Sequence, residues 1–249
     1  MDLGLEGKGA IVTGGSIGIG SAIAVGLARE GCDVAINYRR HDAEAKEVVS
    51  RIEALGRRGL AIKADVSSYA DAQNMVATVV KEFGRLDIMV CNAGINWDGV
   101  IWKMTEEQFD TVINVNLKGY FNYNKAAAIV FKDQKSGKIV NISSINGLRG
   151  KFAQVNYSAS KGGEIAMSKS LARELGKFNV NVNVVAPGMV MTEMARGIPQ
   201  EFLTKAMDET ALGRFATPEE CADLVAFLCS DRARHITGEV IKIDGGQYM

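Results

Sequence analysis

The stretch Gly9-Ala10-Ile11-Val12-Thr13-Gly14-Gly15-Ser16-Ile17-Gly18-Ile19-Gly20-Ser21-Ala22-Ile23 decides the fold. A short apolar run, Gly9–Thr13, enters a glycine-rich turn directly, and helical periodicity takes over from Gly18 to Glu30. Strand, tight turn and helix in that order form half of a parallel crossover unit. Glycines let the turn's N–H groups approach an anion, and the helix amino end adds partial positive charge.

The alternation repeats outward from this stretch. Further strands are expected at Asp33–Tyr38, Gly59–Lys63, Ile88–Cys91, Lys138–Ile142, Val180–Val185 and Val240–Ile243. Helices are expected at Ala43–Leu55, Tyr69–Phe83, Glu106–Phe131, Tyr157–Lys177 and Glu219–Ser230. Thr217-Pro218-Glu219-Glu220 reads as a capping box with proline at the first helical position, and Thr105 with Gln108 repeats the box. Strands of nearly continuous Val/Ile character, each followed by a helix, predict a doubly wound α/β fold with a parallel sheet covered on both faces. Val180, Val182 and Val184 alternate with Asn179, Asn181 and Asn183, which predicts one more polar side for that strand. No linker or repeat interrupts the series, so residues 1–249 read as one domain, with a cofactor part over roughly 1–140 and a catalytic part over roughly 141–249.

Composition excludes several functions. The chain has 27 glycines but only 3 prolines, and is 47% hydrophobic, which is a packed protein rather than a disordered or collagenous one. Lys plus Arg equals Asp plus Glu at 29 each, so no net field draws nucleic acid or an anionic membrane. Apolar runs such as Leu224–Cys229 fall far short of the roughly 18 residues of a membrane span, and the first residues lack a signal-peptide pattern. Cys32, Cys91, Cys221 and Cys229 lie scattered in apolar stretches and read as buried free thiols, fitting a cytoplasmic setting. His41 and His235 are the only histidines, and both lie among charged neighbours. A metal site or a histidine triad is therefore not expected.

The turn offers Gly14, Ser16, Ile17, Gly18, Ile19 and Gly20 to a diphosphate. The second strand ends Tyr38-Arg39-Arg40 without an acidic residue, so Arg39, assisted by Arg40, suits a 2′-phosphate and favours NADP(H), with NAD(H) as the alternative. Asp65 and Val66 follow the third strand and offer a carboxylate and a backbone to adenine. Asn92-Ala93-Gly94 follows the fourth with small side chains that admit a flat ring. Pro187-Gly188-Met189-Val190-Met191-Thr192 follows the sixth and would clamp the nicotinamide amide.

Tyr157 and Lys161 are four apart on a helix and share one face. Ser144 follows the fifth strand, and Asn116 lies on the apolar face of its own helix, where its amide requires a partner. A core asparagine closing a helix kink is the plainer reading of Asn116. Together the four can reduce a carbonyl without histidine: Tyr157 protonates the oxygen, Ser144 hydrogen-bonds it, and Asn116 holds a water joining Lys161 to solvent. A phenol needs about 4 kcal/mol of preferential phenolate stabilisation to act near neutrality, and one cation at about 4 Å supplies about that much.

Thr13-Gly14-xxx-Gly18-Ile19-Gly20, Asn92-Ala93-Gly94, Asn116, Ser144, Tyr157-xxx-Lys161 and Pro187-Gly188 together resemble the short-chain dehydrogenase/reductase superfamily over essentially the whole chain. Ile236-Thr237-Gly238-Glu239 and Asp244-Gly245-Gly246 resemble its 3-oxoacyl-thioester reductases. The resemblance implies a Rossmann-type seven-stranded sheet, Asn-Ser-Tyr-Lys catalysis, Lys161 on the nicotinamide ribose hydroxyls, and a homotetramer. Four departures stand out. Cys91 replaces the family's usual asparagine before Asn92-Ala93-Gly94, with little expected effect. Ile17 stands where many NADPH-preferring relatives have arginine, and Glu164 stands where relatives place an apolar side chain on a subunit-contact helix. Lys135 and Phe178 occupy positions where acyl-carrier-protein reductases tend to carry arginines, which weakens carrier-protein docking.

Asn96, Trp97, Ser144, Asn146, Leu148, Phe152, Met189 and Met194 make the expected substrate pocket, with Trp102, Met104 and Met191 nearby. The leading expectation is reduction of a 3-oxoacyl thioester of coenzyme A or acyl carrier protein, within fatty acid metabolism. The alternative is dehydrogenation of a cyclic secondary alcohol such as a steroid, alicyclic acid or sugar. A non-catalytic nucleotide sensor on the same fold is the remote third, and the intact tetrad argues against it.

Overall fold

A computed structural model describes residues 2–193 and 200–249. Among these, seven parallel strands form one sheet in the order β3-β2-β1-β4-β5-β6-β7. The strands are β1 (Gly9–Val12), β2 (Asp33–Tyr38), β3 (Gly59–Lys63), β4 (Ile88–Cys91), β5 (Gly137–Ile142), β6 (Val180–Pro187) and β7 (Val240–Ile243). Helices α1 (Gly18–Arg29), α2 (Asp42–Ala54), α3 (Tyr69–Phe83), α4 (Glu106–Ile113), α5 (Gly119–Gln134), α6 (Asn146–Arg149), α7 (Val155–Leu175), α8 (Gln200–Asp208) and α9 (Pro218–Cys229) connect or follow them.

Side-chain alternation along the strands divides the interior into two cores. On β1, Ala10 and Val12 join Val34, Ile36, Ile88 and Val90 against Ile23 and Leu27 of α1, Val48 of α2 and Val225 of α9. Ile11, Ala35 and Met89 point the other way, toward Met75 and Val79 of α3 and Tyr123 and Phe131 of α5. Since consecutive strand residues face opposite layers, a strand buried on both sides is apolar except where a polar side chain finds a buried partner. The four residues of β1 and the four of β4 are all buried. Between these two strands the order of connection reverses, which opens a crevice at their carboxyl ends.

The expected elements are present with three differences. The single helix expected over Glu106–Phe131 is interrupted by a π-helical turn, Asn114–Lys118, which separates α4 from α5. Asn116, at the middle of that turn, bonds sideways to the chain after β4, and Gly119, just beyond it, packs against Val66, so the helix yields where its side is tied to other segments. The more polar side expected for β6 is present but faces protein rather than solvent, for all eight of its residues are buried. Asn181 donates to the carbonyls of Arg234 and Ile236, and Asn183 donates to Ile236 and accepts from the N–H of Glu239. The two amides therefore hold the segment that leads into β7. Helices α6 and α8 had no counterpart in the expected elements. Both capping boxes form, at Thr105 and Thr217, and all four cysteines are buried and free.

Candidate active site

The glycine turn after β1 is fixed from both sides by backbone-directed bonds. Thr13 Oγ1 accepts from the N–H groups of Asn92 and Ala93, while Asn92 Nδ2 donates to the carbonyls of Thr13 and Gly14. Buried Asn37 accepts from the Gly14 N–H and donates to the Ala64 carbonyl. At Gly20 an added Cβ would lie 2.2 Å from the Gly14 carbonyl oxygen and 2.5 Å from Asn92 Nδ2, so only glycine fits. Asn37 was not among the expected residues; an amide at the fifth position of an otherwise apolar strand was the available signal.

Helix α1 begins at Gly18 with Ile17 as its cap residue, no side-chain cap bond and no acidic residue in its first turn. Its leading N–H groups thus suit an anion. Across from the turn, Thr192 Cγ2 would lie 3.5 Å from a Cβ at Gly18, so the loop after β6 faces the loop after β1. That second loop is held by bonds from the Gly188 N–H to the Ile243 carbonyl and from the Met189 N–H to Gln247 Oε1, and by a bridge of Val190 to Ala216. Among the expected cofactor residues, Arg39 is exposed and pairs with Asp65 at 3.3 Å. Asp65 Oδ1 also accepts from the Ser67 N–H and hydroxyl. Burial acts to raise its carboxyl, but the Ser67 bonds and the Arg39 charge outweigh it and hold it below the ordinary value. Tyr38 donates to Asp42, Arg40 is exposed, and the Val66 carbonyl accepts from Asn122.

The expected acid–base residues Tyr157 and Lys161 lie on the first half of α7. The loop after β5 presses against this helix: Ser143 Oγ donates to the Lys161 carbonyl at 2.9 Å, and a Cβ at Gly147 would lie 2.7 Å from the Lys161 carbonyl carbon. Ser144, nearly buried, accepts from the Asn146 N–H. Asn116 is fully buried; its Oδ1 accepts from the Ile95 N–H, and its Nδ2 donates to the Ile95 carbonyl and to Ser160. Ser160 in turn donates to the Tyr157 carbonyl. The amide thereby links the chain after β4 to the catalytic turn. A Cβ at Gly94 would lie 3.4 Å from Asn116 Oδ1 and 3.6 Å from Lys161 Nζ, so the chain after β4 passes close to both the amide and the ammonium.

Lys161 differs from its expected surroundings. Its Nζ donates to the Ile142 carbonyl at 2.9 Å and to Glu164 at 2.9 and 3.2 Å, and lies 5.7 Å from the centre of the Tyr157 ring. Glu164, on the helix expected to make subunit contacts, is 0% exposed within the chain, one helical turn beyond the lysine on the same inward face. Tyr157 is half-buried, and among the described residues its hydroxyl has no hydrogen-bond partner.

On the substrate side, Asn156 donates to the carbonyls of Trp97 and Gln108, and Gln154 donates to both oxygens of Asp98 and accepts from Asn146. These two buried side chains were missed in the sequence, although both precede Tyr157 at the mouth of its helix. They join the loop carrying Asn96 and Trp97 to the segment carrying Asn146, Leu148 and Phe152. Trp102 and Phe152 are largely exposed, at 74% and 81%. Met189 is half-buried, and Met194 lies outside the described residues. Among the described residues there is no cluster of His, Cys, Asp and Glu fit to hold a metal, and no helix long and apolar enough to cross a membrane.

Residues 14–247 match a family model described as enoyl-(acyl carrier protein) reductase. The chain is 43% identical over 242 residues to the 3-oxoacyl-[acyl-carrier-protein] reductase FabG of Staphylococcus aureus, covering 97% of this chain and 98% of that one. It is 42% identical over 242 residues to the acetoacetyl-CoA reductase of Shinella zoogloeoides, covering 96% and 98%. A crystal structure assigned to a short-chain alcohol dehydrogenase of Sinorhizobium meliloti 1021 superposes with a TM-score of 0.94 at 35% identity, covering 97% of this chain and 96% of the other.

Proposed function

The chain belongs to the short-chain dehydrogenase/reductase family, and on that premise we propose that it reduces the ketone of a 3-oxoacyl thioester, with Tyr157 as proton donor and NADPH as the favoured cofactor. The observation that supports this reading is the packing of the segment after β5 on α7, where Ser143, the neighbour of Ser144, donates to the Lys161 carbonyl and Gly147 abuts the same residue. A hydroxyl and a phenol on one side of a crevice suit a carbonyl oxygen that gains negative charge as it is reduced. The relatives named for 3-oxoacyl-carrier-protein and acetoacetyl-CoA reduction support this over a cyclic alcohol.

When bound, the reduced nicotinamide supplies the hydride. The uncapped start of α1 would hold the diphosphate, and the loop Pro187–Thr192 would border the nicotinamide. Ser144 orients the carbonyl oxygen, Tyr157 delivers the proton, and Lys161 supplies the positive charge behind it. Arg39 is the residue for a 2′-phosphate, because its pair with Asp65 is solvent-exposed and contributes at most about 1 kcal/mol, which a doubly charged phosphate can displace. A homotetramer belongs to the same reading; exposed Phe109, Phe121 and Ile129 on α4 and α5 support it, and light scattering tests it.

The test is NADPH oxidation with acetoacetyl-CoA, a 3-oxoacyl carrier protein, a steroid ketone and a cyclic ketone, each with the parent and Tyr157→Phe. The thioesters should turn over fastest, and Tyr157→Phe should lower kcat by about 10²–10⁴-fold. A steroid or cyclic ketone that outruns both thioesters, or a Tyr157→Phe variant with full turnover, would sink the proposal.

A further inference from the structure

The carboxylate of Glu164 has no place in the reaction just described, yet it pairs directly with the catalytic ammonium. Both of its oxygens accept from Lys161 Nζ, at 2.9 and 3.2 Å, and neither side chain reaches solvent to any extent. Titratable groups face the carboxylate from each packed element: Lys161 on α7, Tyr120 on α5 and Cys91 on β4. Burial drives the Tyr120 phenol and the Cys91 thiol far up, so both stay neutral across the working range. The variable charge behind Tyr157 therefore lies in the Lys161–Glu164 pair. An apolar side chain would fill the same volume without the desolvation cost of a buried ion.

We propose that Glu164 is a positioning residue for the acid–base pair, holding the Lys161 ammonium and setting how much of its charge reaches the Tyr157 hydroxyl. Lys161 Nζ is 5.7 Å from the Tyr157 ring centre, and the carboxylate is therefore within about 9 Å of that ring. With Glu164 ionised, the pair is neutral and the phenolate loses part of its stabilisation. With Glu164 protonated, the ammonium acts undiminished. Burial pushes the Glu164 carboxyl up to about 8 against the pull of Lys161, so the exchange falls where the enzyme would work. The inference rests on the assignment of Tyr157 and Lys161 made under the proposed function.

Glu164→Gln tests it, because the amide keeps the shape and an acceptor for Lys161 while removing the charge. The first readout needs no substrate: ultraviolet titration of tyrosinate in the parent and in Glu164→Gln, each minus the same protein carrying Tyr157→Phe. Above about pH 8, where Glu164 is ionised in the parent, tyrosinate from Tyr157 should form more readily in Glu164→Gln, its step moving down by about one pH unit, the effect of deleting one negative charge at about 9 Å in an effective dielectric near 20. Glu164→Asp should return the step toward the parent, and the alkaline limb of ketone reduction should shift with it. An unmoved step in folded Glu164→Gln overturns the inference. A moved step in a protein that reduces none of the ketones supports the inference while overturning the thioester reading. If Glu164→Gln does not fold, carboxyl-detected NMR of the parent replaces it. A Glu164 midpoint well above 4.5, followed by a Tyr157 ring resonance, supports the inference; an ordinary midpoint overturns it.

Discussion

The two walls of the crevice are built differently. On the cofactor wall, Thr13, Asn37 and Asn92 direct their side chains at backbone groups of the neighbouring loops, and Gly20 admits no substituent. On the substrate wall the backbone is tied at a few points by Gln154 and Asn156, and large apolar side chains such as Trp102 and Phe152 stand in solvent. A wall of locked backbone recognises one fixed shape and tolerates little change. A wall of exposed side chains adds little to folding, so its residues are free to set which substrate fits.

The sharpest way to break this contrast is at Gly20. Alanine there puts a methyl group 2.2 Å from the Gly14 carbonyl and 2.5 Å from the Asn92 amide that holds the same turn, so the turn itself must shift. Overpacking of this kind costs about 1–3 kcal/mol, and displacement of the turn should weaken NADPH binding by about 100-fold. Nicotinamide fluorescence titration checks the affinity and a thermal melt checks the fold. A Gly20→Ala protein with parental affinity would show that the cofactor wall is not locked.

The same difference decides what the sequence could reveal. The sheet and its crevice were legible because two-sided burial forces Val/Ile runs and because Gly14, Gly18 and Gly20 punctuate a strand–helix joint. The tetrad was legible as spacing, Tyr157 to Lys161 above all. Contacts that depend on tertiary approach were not. Asn181 and Asn183 look like a solvent face until the segment before β7 is seen to lie on them. Glu164 looks like an interface residue until the inward face of α7 is known, since helical spacing places it beside Lys161 but does not say which way that face points. Asn116 follows the same rule: its amide predicted a partner, and only the fold supplied Ile95.

Glu164 is buried against Lys161, behind both walls, and its charge should be visible in stability as well as catalysis. The folded protein holds the Glu164 proton up to about pH 8, whereas the unfolded chain releases it near 4.5. Across that window unfolding releases a proton, so stability from this group is full below 4.5 and is lost as pH rises toward 8. The loss is at most about 1.4 kcal/mol per pH unit, or about 3–5 °C in Tm for a chain of this size. Melting curves from pH 5 to 8 should show the parent falling relative to Glu164→Gln. Parallel curves would place the carboxylate's titration outside this range.

A smaller effect is expected at Arg39, a cofactor-wall residue that acts through an exposed side chain rather than through backbone. Arg39→Ala should weaken NADP binding about 10-fold, the value of a charge-assisted hydrogen bond of about 1.5 kcal/mol, and leave NAD binding nearly unchanged. Stability should hardly move, since the pair with Asp65 is half in water. Equal losses for both dinucleotides would mean that Arg39 shapes the loop instead of meeting the 2′-phosphate.

The smallest effect tests the other wall. Phe152 is 81% exposed, so its ring contributes almost nothing to the packed core, and Phe152→Ala should change stability by less than about 0.5 kcal/mol. If the ring covers part of a bound acyl chain, removing about 40 Å² of apolar contact costs about 1 kcal/mol, a rise in KM of about fivefold with kcat unchanged. The rise should grow from acetoacetyl to longer 3-oxoacyl thioesters, because only a longer chain reaches a side chain standing this far out. A loss that is equal for every chain length would assign Phe152 to the backbone geometry of the mouth, and the substrate wall would then resemble the cofactor wall more than its exposure implies.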